Sequence, residues 1–424
     1  MRAYINNQCN SIEINGSNRV IKRNTIFLLY IFLVTVIYVM PFFKYAVPYK
    51  IAAVLMLIPL PFLAFYDNTA FRFSLVLVVV STFSFIQNSL MGMDIVDAAN
   101  ELIRNVRFFL PALWGYCFLS KGLNKKETGL FLLAFLIIVG FILVKTSVAL
   151  NDDPMIARIL AQDKSTSSDS LNAYRIANIG GFEFSYMVGI LVLAFLELAY
   201  YLTKPILKIA CVALYIVSFY YVIKTMYTTL LILAFVGSVA IIFFNTKSRV
   251  FKIILFILAI VFLVFLPTIL QLLAVVFKGM PVLSYKFELM LKALTDKNVN
   301  ELGRRPELIL NALQNWAESP IFGVYNPQSN AHSLFFSVLE GNGLFGLILW
   351  LYLFVQSFML VRKGLSSEKK NNRFVNLIFC YVAILSVLNP IGYVFEVTIT
   401  AYFIIPIGCA FFMEKNNKNK MLAA

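Results

Sequence analysis

Apolar runs long enough to cross a bilayer recur along this chain, and they leave it very few ways to fold. They fall at roughly 26–43, 51–66, 73–90, 108–120, 129–148, 182–201, 206–223, 229–245, 253–275, 343–361, 374–390 and 398–413. The chain is 60% hydrophobic, and its 41 Phe exceed what a soluble core can hide, whereas a lipid environment accepts them. The expected fold is an all-α polytopic membrane protein with about 12 transmembrane helices. The second and fourth runs are short for a crossing.

The formal net charge of +15 does not point to nucleic acid, because the basic residues sit in short clusters between apolar runs. Lys22-Arg23, Lys125-Lys126, Arg249, Arg362-Lys363, Lys369-Lys370 and Lys415 fall on one side of the alternation. The opposite short loops carry only Lys44, Lys50, Arg104, Arg107 and Lys224. This bias places both termini in the cytoplasm. The chain then divides into a polar tail at 1–25, a bundle at 26–275 with an outer loop near 150–181, and a large outer loop at 276–332. C-terminal spans at 333–413 and a second tail at 414–424 complete it.

The two long outer loops hold the chemistry, since connections of this length in a compact chain are functional or disordered. The first ends in Tyr174-Arg175 and Gly180-Gly181, with Glu183 where the next helix begins. The second opens on an amphipathic stretch, 284–294, followed by a helix predicted to start near Pro306 and to stop before Pro320. Arg304 and Arg305 stand at the head of that helix. With Arg175 and with Lys224 from a hydroxyl-rich turn, they make four cations suited to a phosphate-bearing ligand, arginine by its planar fork. Pairing with nearby acids is the plainer use of each one.

The single histidine, His332, has a near-neutral pKa suited to a general base; a hydrogen-bonded core histidine is the alternative. Glu340, two helical turns on, either orients it or is itself the base, and Glu183 is a third candidate. Tyr325 and Asn330, just upstream of the histidine, are candidate glycan-contacting or positioning residues. Gly341-Asn-Gly343-Leu-Phe-Gly346 matches GxGxxG in letters only. No strand precedes it, so it is read as helix packing rather than nucleotide binding. The five cysteines show no metal-ligand spacing, and no metal or other cofactor is expected.

The run Arg305-Pro-Glu, Ser319-Pro-Ile-Phe-Gly323, Asn330-Ala-His332-Ser and Leu339-Glu340-Gly-Asn-Gly343 resembles the O-antigen polymerase and O-antigen ligase superfamily. Arg175-Ile-Ala-Asn-Ile-Gly-Gly is similar to that family's arginine-bearing upstream loop. The resemblance implies a GT-C-like, inverting, metal-independent glycosyltransferase in the bacterial inner membrane, working at its periplasmic face. Its donor and acceptor would be oligosaccharides on undecaprenyl pyrophosphate, and a chain-length-regulating co-polymerase is a possible partner beside the membrane lipids. Arginines of the two long loops would bind the pyrophosphate, and the loop histidine would be the base. Lys224-Thr-Met-Tyr-Thr-Thr stands where ligases carry a Thr-x-Ser-Arg signature, which favours the polymerase over the ligase. A lipid-linked oligosaccharide flippase is the reading from another class. It would need charges within the spans, and the runs drawn above are nearly free of them.

Overall fold

The computed structural model describes residues 13–120, 124–153, 156–157, 160, 169–225, 227–279, 281–295, 304–325, 332–365, 369–389 and 394–412. No strand occurs among them. Backbone groups in a hydrocarbon layer must bond internally, and helices do this within one segment. Among the described residues, seven helices are long and apolar enough to cross a membrane, eight if one bent pair counts as a single span. The chain is an all-α polytopic membrane protein.

The first third comprises α1 (Glu13–Val39), α2 (Pro41–Ala46), α3 (Tyr49–Leu57), α4 (Leu60–Ala64), α5 (Asn68–Leu90), α6 (Ile95–Ser120) and α7 (Lys125–Asp152). Then come α8 (Asp169–Ile176), α9 (Phe182–Tyr201), α10 (Pro205–Lys224), α11 (Thr228–Asn245), α12 (Arg249–Val264) and α13 (Leu266–Val276). The remainder is α14 (Pro281–Thr295), α15 (Arg304–Glu318), α16 (Leu334–Gly364), α17 (Lys369–Leu388) and α18 (Phe395–Ile399). The last continues through a π-turn at Thr400–Ile404 as one span to Phe412.

Helices stand at all twelve apolar runs, but several depart from the single clean crossing expected. The second run is two short helices parted at Pro59, whose ring removes a backbone donor. The fourth is longer than its apolar core, because α6 begins at Ile95 and carries Glu101, Arg104 and Arg107 with it. The ninth is bent by 76° between α12 and α13, where Pro267 opens the second piece. The tenth starts at Leu334, nine residues before the run drawn at 343.

α9 and α18 form the centre. In their most apolar windows 83% and 78% of residues are buried, against 22% for α10. The outer helices instead expose apolar side chains such as Ile253, Phe256 and Ile257 on α12, as lipid-facing positions do. α6 closes on α18 backbone to backbone: a Cβ on Gly115 would lie 2.3 Å from the Tyr402 carbonyl oxygen. In the second long loop a helix covers the amphipathic stretch, and Leu283 and Phe287 of this α14 pack on Leu270 and Ala274 of α13. α15 follows where a helix was expected, with Pro306 in its first turn.

Candidate functional site

Charged side chains from five elements meet where α1 ends and α9 and α18 begin. Pro41 opens the short helix α2, which carries Lys44 and Tyr45. Lys44 Nζ lies 2.8 Å from Glu396 Oε1 and 3.2 Å from Glu183 Oε1. Both acids occupy first helical turns, Glu183 of α9 and Glu396 of α18, where the helix dipole favours negative charge. Glu396 is the more enclosed, with 3% of its side chain exposed against 33% for Glu183.

Burial by itself would lower the Lys44 pKa. The Glu183 and Glu396 carboxylates outweigh it and hold the ammonium above the ordinary lysine value, while Arg107 on α6 opposes them. Arg107 is buried, its guanidinium 5.8 Å from the centre of the Tyr38 ring. One turn earlier on the same helix, Arg104 pairs with Glu101. Burial raises the Glu101 carboxyl above the usual carboxylate range, against the pull of Arg104.

The first long loop returns onto α2. Arg175, in the last turn of α8, places its guanidinium 5.9 Å from the centre of the Tyr45 ring, within cation–π range. Asn178 adopts a left-handed conformation (φ 60°), and its Oδ1 accepts a 3.1 Å hydrogen bond from the Phe42 amide. Gly180 N then donates to Thr146 Oγ1 at 2.7 Å, and Gly181 leads into α9. The turn thereby brings Arg175 and Glu183 to the same end of the bundle as Lys44.

The motif residues of the second long loop build a clasp. Ser319-Pro-Ile-Phe-Gly323 turns back onto α16 at its break, where Gly343 has φ 64°. Val324 N donates to Glu340 O at 2.7 Å, Leu344 N to Pro320 O at 2.9 Å and Phe345 N to Ile321 O at 3.1 Å. From α5, Gln87 Nε2 donates to the Phe322 carbonyl, and Ser84 Oγ donates to Asn342 Oδ1 at 3.1 Å. Glu340 is buried, and its Oε1 accepts a 2.6 Å bond from Asn315 Nδ2 of α15. Of the three glycines in the GxGxxG string, Gly343 thus serves close packing, against a loop turn rather than a neighbouring helix.

The remaining sequence candidates sit on other elements. Lys224, at the end of α10, donates to the Ser147 carbonyl at 3.3 Å and to Asn151 Oδ1, both at the end of α7. Replacing it with Ala is expected to cost less than about 1 kcal/mol and to leave activity near wild type, by melting and turnover assays, since the shorter of its bonds is to the exposed Asn151 side chain. His332 is exposed, in a left-handed conformation (φ 46°) just before Ser333, whose Oγ caps α16. Leu334 N donates to Asn389 O, tying this start to the end of α17. Tyr325 is half-buried immediately after the clasp. Arg304 and Arg305 form the first turn of α15, their side chains outside the described residues, as is Asn330 altogether.

Lys44, Arg107 and Glu396 were absent from the sequence-derived site. Their signal was present: a lone charge at each end of an apolar run. Lys44 and Arg107 count as short-loop charges in the run pattern, and Glu396 lies two residues before the last run. Among the described residues, no three His, Cys, Asp or Glu come together as a metal-holding group. Compared with known protein families, curated proteins and solved structures, the chain matches none.

Proposed function

We propose that this chain is a membrane-embedded polysaccharide polymerase that joins undecaprenyl-pyrophosphate-linked repeat units by inverting, metal-independent glycosyl transfer, with about twelve spans and the charged end facing the periplasm. One observation carries the reading. Cations from separate elements, Lys44, Arg107 and Arg175, stand with two carboxylates at one end of an apolar bundle. A diphosphate leaving group develops negative charge as the glycosidic bond breaks, and fixed cations in a low-dielectric setting stabilise it. The motif string around Arg305, Gly323, His332 and Gly343 supports the same reading, because its resemblance is to enzymes of this chemistry.

In this scheme Arg175 binds the diphosphate, with Arg304 and Arg305 as further donors. Lys44 is held charged beside it. Glu183, the more open of the two acids, or His332 removes the proton from the attacking sugar hydroxyl. Glu340 supports the fold around them through Asn315.

The test is complementation of a strain deleted for this gene. Arg175→Ala is expected to abolish long polysaccharide, leaving single repeat units, while the protein inserts at wild-type levels. Full-length polysaccharide in that variant overturns the diphosphate role. His332→Ala is expected to slow elongation by about 10²- to 10⁴-fold, the scale of a lost general base. Unchanged turnover moves the base to Glu183.

The buried charges Arg107, Glu396 and Glu197 also favour a second reading, a lipid-linked oligosaccharide flippase, which requires charge inside the bundle. The deletion strain separates the two, along with the ligase. Single units on the outer surface mark a polymerase, polymer stranded on its carrier marks a ligase, and unflipped units mark a flippase.

A further inference from the structure

At the end of the bundle away from Lys44, a crevice of about 270 Å³ opens between α7, α9, α17 and α18. Its walls are wholly apolar or glycine and include Gly129, Leu136, Ala194, Leu198, Phe374 and Gly408. The lipid-facing lip is Leu133, which lines the crevice and is 56% exposed. A Cβ placed on Gly408 would meet nothing within 4 Å, so the space beside it is open. A void of this size with no polar wall attracts no ordered water, which needs two or more polar partners. It is also far smaller than a helix, which leaves a flexible apolar chain as the fitting occupant.

The rim is basic. Lys125 and Lys126 precede Gly129 by four and three residues on α7, so they lie on its face one turn nearer the bundle's end. Arg373, adjacent to Phe374, is held at the same end. Its Nη2 donates to Asn245 Oδ1 at 2.6 Å and lies 3.5 Å from Glu197 Oε1, and its side chain stays 36% exposed. The end of the bundle where α7 starts therefore pairs an apolar slot with lysine charge.

We infer that this crevice is a binding site for one anionic phospholipid. An acyl chain fills the slot beside Gly408, and the headgroup phosphate sits against Lys125 and Lys126. The inference rests on the crevice and its rim, not on the glycosyl-transfer reading. Two lysines at a lipid surface give a preference of roughly tenfold for an anionic headgroup.

The experiment is native mass spectrometry of the full chain in mild detergent, with phosphatidylglycerol and phosphatidylethanolamine added in equal amounts. Wild type is expected to retain one phosphatidylglycerol, preferred by about tenfold. Gly408→Leu, which fills the slot, is expected to lose the retained lipid while eluting as wild type. Lys125→Ala/Lys126→Ala is expected to keep a lipid but to lose the headgroup preference. Equal retention of both phospholipids by wild type overturns the inference, as does retention by Gly408→Leu equal to wild type. A polyprenyl lipid held in place of phosphatidylglycerol overturns it too. Should Gly408→Leu fail to fold, the wild-type preference and its loss in the lysine variant decide alone.

Discussion

Lys44→Met is expected to lower the apparent melting temperature of the purified protein by several degrees and to abolish polymer formation. The substitution keeps the length of the side chain and removes only the charge. Glu396 is then left as a buried carboxylate whose counter-ion at 2.8 Å has gone. Breaking a fully buried pair costs about 3–5 kcal/mol; the lysine is 39% exposed here, so about 2–3 kcal/mol is the expected loss. The diagnostic is the double variant. Lys44→Met/Glu396→Gln removes both charges together, and it is expected to regain most of the melting temperature but none of the activity. Recovery of activity would show that Lys44 acts only as a structural partner of Glu396. A Lys44→Met protein that melts as wild type would mean that the pair contributes nothing.

Gly343→Ala and Gly323→Ala are expected to prevent normal folding, whereas Gly341→Ala, two residues away, is expected to be neutral or mildly stabilising. Gly343 and Gly323 have φ 64° and 80°, where a Cβ is strained. A Cβ on Gly343 would lie 2.3 Å from Ile321 O, and one on Gly323 would lie 2.4 Å from Glu340 O. These neighbours are backbone and cannot rotate away, so the three hydrogen bonds of the clasp must open. Strain and lost bonds together come to about 4 kcal/mol or more. A Cβ on Gly341 would meet nothing within 4 Å. Alanine there should gain about 0.5–1 kcal/mol from helix propensity. Expression level and size-exclusion profile of the three variants check the contrast; equal behaviour of Gly341→Ala and Gly343→Ala would remove the clasp from the account.

Ser84, Gln87 and Asn88 mark the limit of what pattern reading resolves. They form a buried polar stripe on α5, a helix that hydropathy describes only as apolar. Their spacing of three and four puts them on one face, and that much was readable. The partners of Gln87 and Ser84, the Phe322 carbonyl and Asn342, lie more than two hundred residues away and become visible only when the chain is folded. Glu340 shows the same limit. Its distance of two turns from His332 offered it as a base, while the structure gives it Asn315 as a hydrogen-bond partner.

Local chemistry settled the all-helical class, the positions of the apolar runs, the amphipathic helix at Pro281–Thr295 and the helix that begins near Pro306. These follow from properties carried by neighbouring residues: hydrophobicity, helical period and the conformational restriction of proline. Three-dimensional packing decided that Lys44, Glu183 and Glu396 share one ion-pair cluster, and that Gly323 meets Gly343. Glu183 and Glu396 are over two hundred positions apart. Coulombic attraction and steric fit act through space, so no local pattern in the chain encodes which distant charge or turn will arrive beside another.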